Sequence, residues 1–157
     1  MMKWVMFRAV PVALALSVAA TAAWQAKAGR ELVRFPENFT GGVQYATVNR
    51  GNLKEEIFTG REAIEAVKNG QLVPSGTVIT LVDYRDGKLF RYVVMEKRTG
   101  WGVEYSPDVR NAEWEFQAFN SDRSVNENES VGRCFSCHKG QAQNDFVFTL
   151  DRMKRAQ

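Results

Sequence analysis

GTVITLVDYRDGKLFRYVVMEK, residues 76–97, decides the fold. Residues 76–84 are β-branched and apolar, with little charge before Asp83, which is the composition of a strand. Asp86-Gly87 is a dipeptide suited to a two-residue hairpin turn, because both central positions of that turn take positive φ. Residues 89–97 then return as a second strand. Strict alternation places Phe90, Tyr92 and Val94 on one face. It places Leu89, Val93 and Met95 on the other, with Arg91 among them.

Working outward, VQYATVN (43–49) and LKEEIF (53–58) are two further strands. The second puts Leu53, Glu55 and Ile57 on one face and Lys54, Glu56 and Phe58 on the other. TGREAIEAVKNG (59–70) carries helical periodicity in Ala63, Ile64 and Val67. Thr59 is its expected N-cap, Glu62 completes a capping box and Gly70 is the stop. EWEFQAF (113–119) alternates again, NSDRSVNENES (120–130) is a polar connector, and DFVFTLDRMKR (145–155) ends in a short helix. Strands in the middle with helices between and after them make an α+β protein. It is built mainly on an antiparallel sheet, with a few helices and a C-terminal segment that holds both cysteines.

The N-terminus has a different character. Lys3 and Arg8 precede an apolar, small-residue run, and Ala26-Lys27-Ala28 has the small-x-small form of a signal-peptidase site. Residues 1–28 are therefore expected to be a secretory signal and residues 29–157 a single exported, periplasmic domain. An uncleaved N-terminal anchor is the alternative, although the run is short for a membrane span. The whole chain has 21 Lys+Arg and 18 Asp+Glu. Cleavage would remove Lys3, Arg8 and Lys27 and no acid, which leaves 18 of each sign. That balance withdraws the electrostatic support for nucleic-acid binding.

RCFSCHKG (133–140) carries the chemistry. The chain has two cysteines, Cys134 and Cys137, and one histidine, His138. Structural zinc normally takes four ligands, and no second ligand pair exists. A thioredoxin-like redox pair belongs near a βαβ unit, which this pattern lacks. A disulfide across three residues would close a tiny loop and add little stability. Covalent haem c uses all three residues: each thiol adds to a haem vinyl group and the adjacent histidine becomes an axial iron ligand. His138 should then bind through Nε2 while its Nδ1–H finds an acceptor such as a backbone carbonyl.

The other face of the iron separates the possible functions. A second histidine ligand is impossible within one chain. Met95 and Met153 are the available thioethers once the signal is gone. Met95 falls in a strand, Met153 follows on the same terminal segment, and the lysines are expected at the surface, so an open sixth position is the first expectation. An apolar, phenylalanine-lined pocket would discriminate diatomic gases by crowding rather than by hydrogen bonding. Phe58 and Phe90 are the expected lining residues. Glu96 is a candidate proton shuttle, weighed against a solvated strand-end acid beside Lys97 and Arg98.

YATVNR, REAIEAVKNG, PSGTVITLV, EWEFQAF and CFSCHKGQAQNDFVFT, in this order, resemble the cytochrome P-460 family over nearly all of residues 29–157. The resemblance implies a mainly antiparallel fold, one haem c and a homodimer. It also implies one of two functional branches. One oxidises hydroxylamine, passes electrons to another cytochrome and carries a lysine cross-linked to the haem. The other, the cytochrome c′-beta type, lacks the cross-link, keeps a five-coordinate iron and binds nitric oxide and carbon monoxide. The cross-linking lysine belongs to the strand after the GTV element, where this chain has Leu81 and no lysine. The c′-beta-like branch is thus the expectation. The alternatives are hydroxylamine oxidation, with Lys97 as a substitute lysine, or simple electron transfer.

Overall fold

The computed structural model describes residues 33–157. The expected signal, residues 1–28, lies outside them. Five strands form one antiparallel meander in the order β1-β2-β3-β4-β5. They are β1 (Val43–Arg50), β2 (Leu53–Thr59), β3 (Val78–Arg85), β4 (Lys88–Lys97) and β5 (Trp114–Asn120). Helix α1 (Arg61–Lys68) links β2 to β3, and α2 (Val131–Lys139) and α3 (Leu150–Lys154) follow the sheet. The α+β expectation is met. The β3–β4 hairpin turns on Asp86 (φ 50°) and Gly87 (φ 74°), the double positive φ that the Asp-Gly pair suggested.

The sheet divides the core in two. Residues paired across neighbouring strands share a face, so Ile57, Leu81, Val93 and Ala118 form one row, and Ile79, Met95 and Phe116 another beside it. This first face packs against Ile64 and Val67 of α1, Phe135 of α2 and Met153 of α3. The opposite face presents Val82, Tyr92, Val94 and Phe119. Residues 33–42 cover it, with the Phe35 ring edge-on to Tyr92 at 5.0 Å and to Phe119 at 5.4 Å.

Local geometry corrects three expectations. The β3–β4 register shifts between Asp83 and Tyr84: Arg91 pairs with Asp83 but Leu89 pairs with Tyr84, which leaves Phe90 as the extra residue of a bulge. The bulge breaks strict alternation, so Leu89 packs with Tyr92 and Val82 rather than with Val93 and Met95. The second correction concerns the helix cap. Thr59 ends β2 and donates its hydroxyl to the Val78 carbonyl at 2.8 Å, while Gly60 occupies the N-cap of α1 without a side-chain bond. The third concerns the polar connector, which is not merely solvated. Its Glu129 pairs with Arg91, and Arg91 also holds the enclosed carboxylate of Asp83.

The segment between β4 and β5 is fastened to α2. Lys139 Nζ donates to the carbonyls of Pro107 (2.6 Å) and Arg110 (2.8 Å), and Asn111 Nδ2 donates to Phe135 O at 3.0 Å. Gly102 makes the segment's tight bend. Its φ is +75°, and an added Cβ would stand 2.6 Å from the Ala112 carbonyl oxygen. Gly102→Ala is expected to cost about 1–3 kcal/mol in denaturant unfolding, from the disfavoured backbone region and the clash together. An unchanged midpoint would show that the bend relaxes freely.

Candidate functional site

Helix α2 carries Cys134, Cys137 and His138. A spacing of three places the two sulfurs about one helical turn apart on neighbouring positions of the surface. Both are free thiols, with Cys137 exposed and Cys134 half-buried. Burial pushes the Cys134 thiol up; nearby Glu129 adds to the shift and Arg91 opposes it. The helix presents two unengaged thiols and, one residue later, a half-buried imidazole.

A backbone carbonyl fixes that imidazole. His138 Nδ1 lies 2.7 Å from Phe146 O. A carbonyl can only accept, so Nδ1 carries the proton and Nε2 keeps a lone pair for a metal. Burial lowers the His138 pKa below its ordinary value, while the Phe146 bond acts in the other direction. The ring therefore stays neutral at neutral pH, as a metal ligand must.

The Phe146 carbonyl reaches this position through an uncommon backbone. Asp145 (φ 50°) and Phe146 (φ 61°) are consecutive non-glycine residues in the left-handed region, which is held only where surrounding contacts enforce it. Four hydrogen bonds do so. Asp145 Oδ2 accepts from Val73 N (3.0 Å) and from Lys97 Nζ (2.7 Å). The Asp145 carbonyl accepts from Trp114 Nε1 (2.9 Å), and Phe146 N donates to Gln141 O (2.8 Å). Lys97 also donates to Val73 O at 2.9 Å and is only 7% exposed. It is thus a structural cation that secures the turn behind His138.

The His138 ring sits between Phe116 (4.7 Å between centroids) and Phe148 (4.9 Å). Beside it is a cavity of about 100 Å³ lined by Leu81, Val93, Met95, Phe116 and Phe148 among others, and by no lysine or carboxylate. Besides His138, its polar side chain is Thr149, whose hydroxyl is 2.7 Å from Tyr45 OH. Burial pushes the Tyr45 phenol up to about 12, with the Thr149 bond lowering it. A larger cavity of about 510 Å³ lies between residues 33–35 and 123–131, and its lining offers no thiol or imidazole.

The five candidate pocket residues from the sequence are therefore divided. Leu81 lines the His138 cavity. Phe58 points to the opposite face and packs edge-on against Phe39 at 5.2 Å. Phe90 is the bulge residue, 47% exposed, with the Arg85 guanidinium 3.9 Å from its ring centre. Glu96 follows Met95 on β4, faces away from the cavity and pairs with Arg98; it is buried rather than solvated. Lys97 is spent on Asp145. Met95 lines the cavity, whereas Met153 is enclosed in the core. Sequence reasoning passed over Asp145 and Trp114. Asn144-Asp145 is a turn signal, but nothing local marks Lys97, 48 residues away, as its partner.

A family model for cytochrome P460 matches residues 35–149, which takes in the whole sheet, the cysteine helix and the turn behind His138. The chain belongs to the cytochrome P460 family. No curated protein matches it. Membership in the cytochrome P460 family makes the chain a c-type haem protein, and its donors fit that group. Nε2 of His138 is free for iron while Nδ1 is committed, two thiols on the same helix are unengaged, and the adjoining walls are apolar. Among the described residues no cluster of three or more His, Cys, Asp or Glu could hold a bare ion. The donor set therefore suits an iron that brings its own ring of nitrogens.

Proposed function

We propose that this cytochrome P460 family member is an exported, periplasmic protein with one covalent haem c and an open iron position that binds small gaseous ligands such as nitric oxide. Cys134 and Cys137 would form the thioethers, and His138 would supply the axial nitrogen through Nε2. The supporting observation is the cavity wall. Leu81, at the expected cross-link position, lies in the same cavity as His138, and no lysine lines it. When bound, the haem supplies an iron centre that takes up a diatomic gas. The chain's own residues set its surroundings. The Phe146 carbonyl holds the imidazole's tautomer and angle, and Phe116 and Phe148 pack beside the ring. The apolar walls offer no free N–H or O–H donor except by way of Thr149, which is bound to Tyr45. Such walls favour a weakly polar diatomic over ligands that need strong hydrogen bonds. A homodimer and a redox partner cytochrome belong to the same proposal.

A second reading rests on Met95. Its thioether lines the cavity, and methionine as sixth ligand would make the protein an electron carrier. Absorption spectra of ferric and ferrous protein, with and without nitric oxide, separate the two. A high-spin ferrous form that shifts on adding nitric oxide is the expected result. A low-spin form indifferent to it, converted to high spin by Met95→Leu, would establish the carrier instead. Hydroxylamine turnover is expected to be absent, and measurable turnover would restore the enzymatic branch.

A further inference from the structure

Glu115 on β5 is completely enclosed. Its Oε2 accepts a hydrogen bond from the Tyr105 hydroxyl at 3.1 Å, and its Oε1 has no partner. No ion pair among the described residues reaches it. The charged groups around it are already engaged or of the wrong sign. Glu96 stands directly opposite on β4, on the same face, and holds Arg98. Glu104, next to Tyr105, adds negative charge near Glu115. Lys139 of α2 is turned to the carbonyls of Pro107 and Arg110. Burial raises the Glu115 carboxyl to about 7, with Tyr105 lowering it and Glu104 raising it. Like charges opposite each other in a sheet are unfavourable, and an enclosed carboxylate without a cation is costly, so both effects favour the neutral acid.

This carboxyl is joined to the site by packed rings. Tyr105 packs at a tilt against Phe135 (4.8 Å between centroids), Phe135 edge-on against Phe116 (4.9 Å) and Phe116 at a tilt against His138 (4.7 Å). The intervening matter is hydrocarbon, which screens charge far less than water does. A positive charge gained at an iron on His138 would therefore be felt at Glu115.

We propose that Glu115 is the proton-binding group coupled to the haem electron: it takes up one proton when the iron is reduced and releases it when the iron is oxidised. The electron comes from an external one-electron donor, either a reduced partner protein or a chemical reductant. The proton comes from solvent at the Tyr105 edge, where Glu104 is exposed. The new O–H bond forms at the unpartnered Oε1, and no bond to the iron changes. The inference rests on His138 as axial ligand but is independent of what occupies the other iron face.

Potentiometric titration of the holoprotein from acid to alkaline pH tests it. The wild-type midpoint potential is expected to fall as pH rises through about 7, because the reduced form holds the proton more tightly. Glu115→Gln, nearly isosteric, should flatten that fall. The reduced-minus-oxidised infrared spectrum should then lose a protonated-carboxyl stretch that the wild type gains. Tyr105→Phe removes a hydrogen bond that favours the carboxylate and should move the inflection to higher pH, which provides a second variant if the first does not fold. A pH-independent wild-type potential, an unaltered slope in Glu115→Gln or an unmoved inflection in Tyr105→Phe would overturn the proposal. Loss of the axial ligand assignment would show separately, as a His138→Ala spectrum identical to wild type.

Discussion

Asp145→Ala is expected to lower the unfolding free energy by about 3–5 kcal/mol, the range for removing one member of a buried ion pair. The loss has two parts. Lys97 Nζ would remain enclosed with the Val73 carbonyl as its one hydrogen-bond acceptor and the Trp114 ring 5.7 Å away, and the Val73 amide would lose its acceptor. The left-handed turn at residues 145–146 would also lose the side-chain bonds that enforce it. Small domains are stable by roughly 5–15 kcal/mol, so the variant stands near the folding threshold. Lys97→Met with Asp145→Leu removes both charges while keeping apolar bulk, and should recover much of the loss in denaturant titration. A double variant as unstable as Asp145→Ala would locate the effect in the backbone turn rather than in the charges. For the same reason Lys97→Ala would not isolate a catalytic lysine: it would destabilise the turn behind His138 whether or not the lysine takes part in chemistry.

His138→Ala is expected to abolish axial ligation by the protein while leaving both thiols able to form thioethers. The ferric spectrum should change in full, and added imidazole should restore a wild-type-like form because the space between Phe116 and Phe148 is vacated. The carbonyl of Phe146 would remain to receive the added ring's N–H. An unaltered ligand-field spectrum in the variant would remove His138 from the iron.

Much of this fold was legible in the sequence because its determinants are local. The Asp86-Gly87 turn, the alternating strands and the Ala63, Ile64, Val67 stripe each depend on residues a few positions apart. The CxxCH motif could be recognised because it lies within five consecutive residues, but nothing in the sequence reading placed it on a helix. What failed did so where a single residue reverses parity or a partner lies far away. The bulge at Phe90 turned one expected pocket residue out to solvent. Phe58 and Glu96 belong to strands correctly read, but the face that meets His138 depends on where α2 returns, and periodicity does not encode that. Lys97 looked like a free basic residue at a strand end, and only the fold reveals its carboxylate.

The meander has a consequence for the order in which the molecule can assemble. Every strand pairs with its neighbour in sequence, and the sheet needs none of residues 121–157. The contacts that complete the molecule are of another kind. Thr149 meets Tyr45 across 104 positions, and Arg152 meets the Thr47 carbonyl across 105. Closure over such distances carries a larger entropic cost and favours late formation. Cys134 and Cys137 precede this final clasp in the chain. If these cysteines take a haem, as proposed, attachment would meet a finished sheet while the terminal segment is still open, and the Phe146 carbonyl that fixes His138 would come into place afterwards.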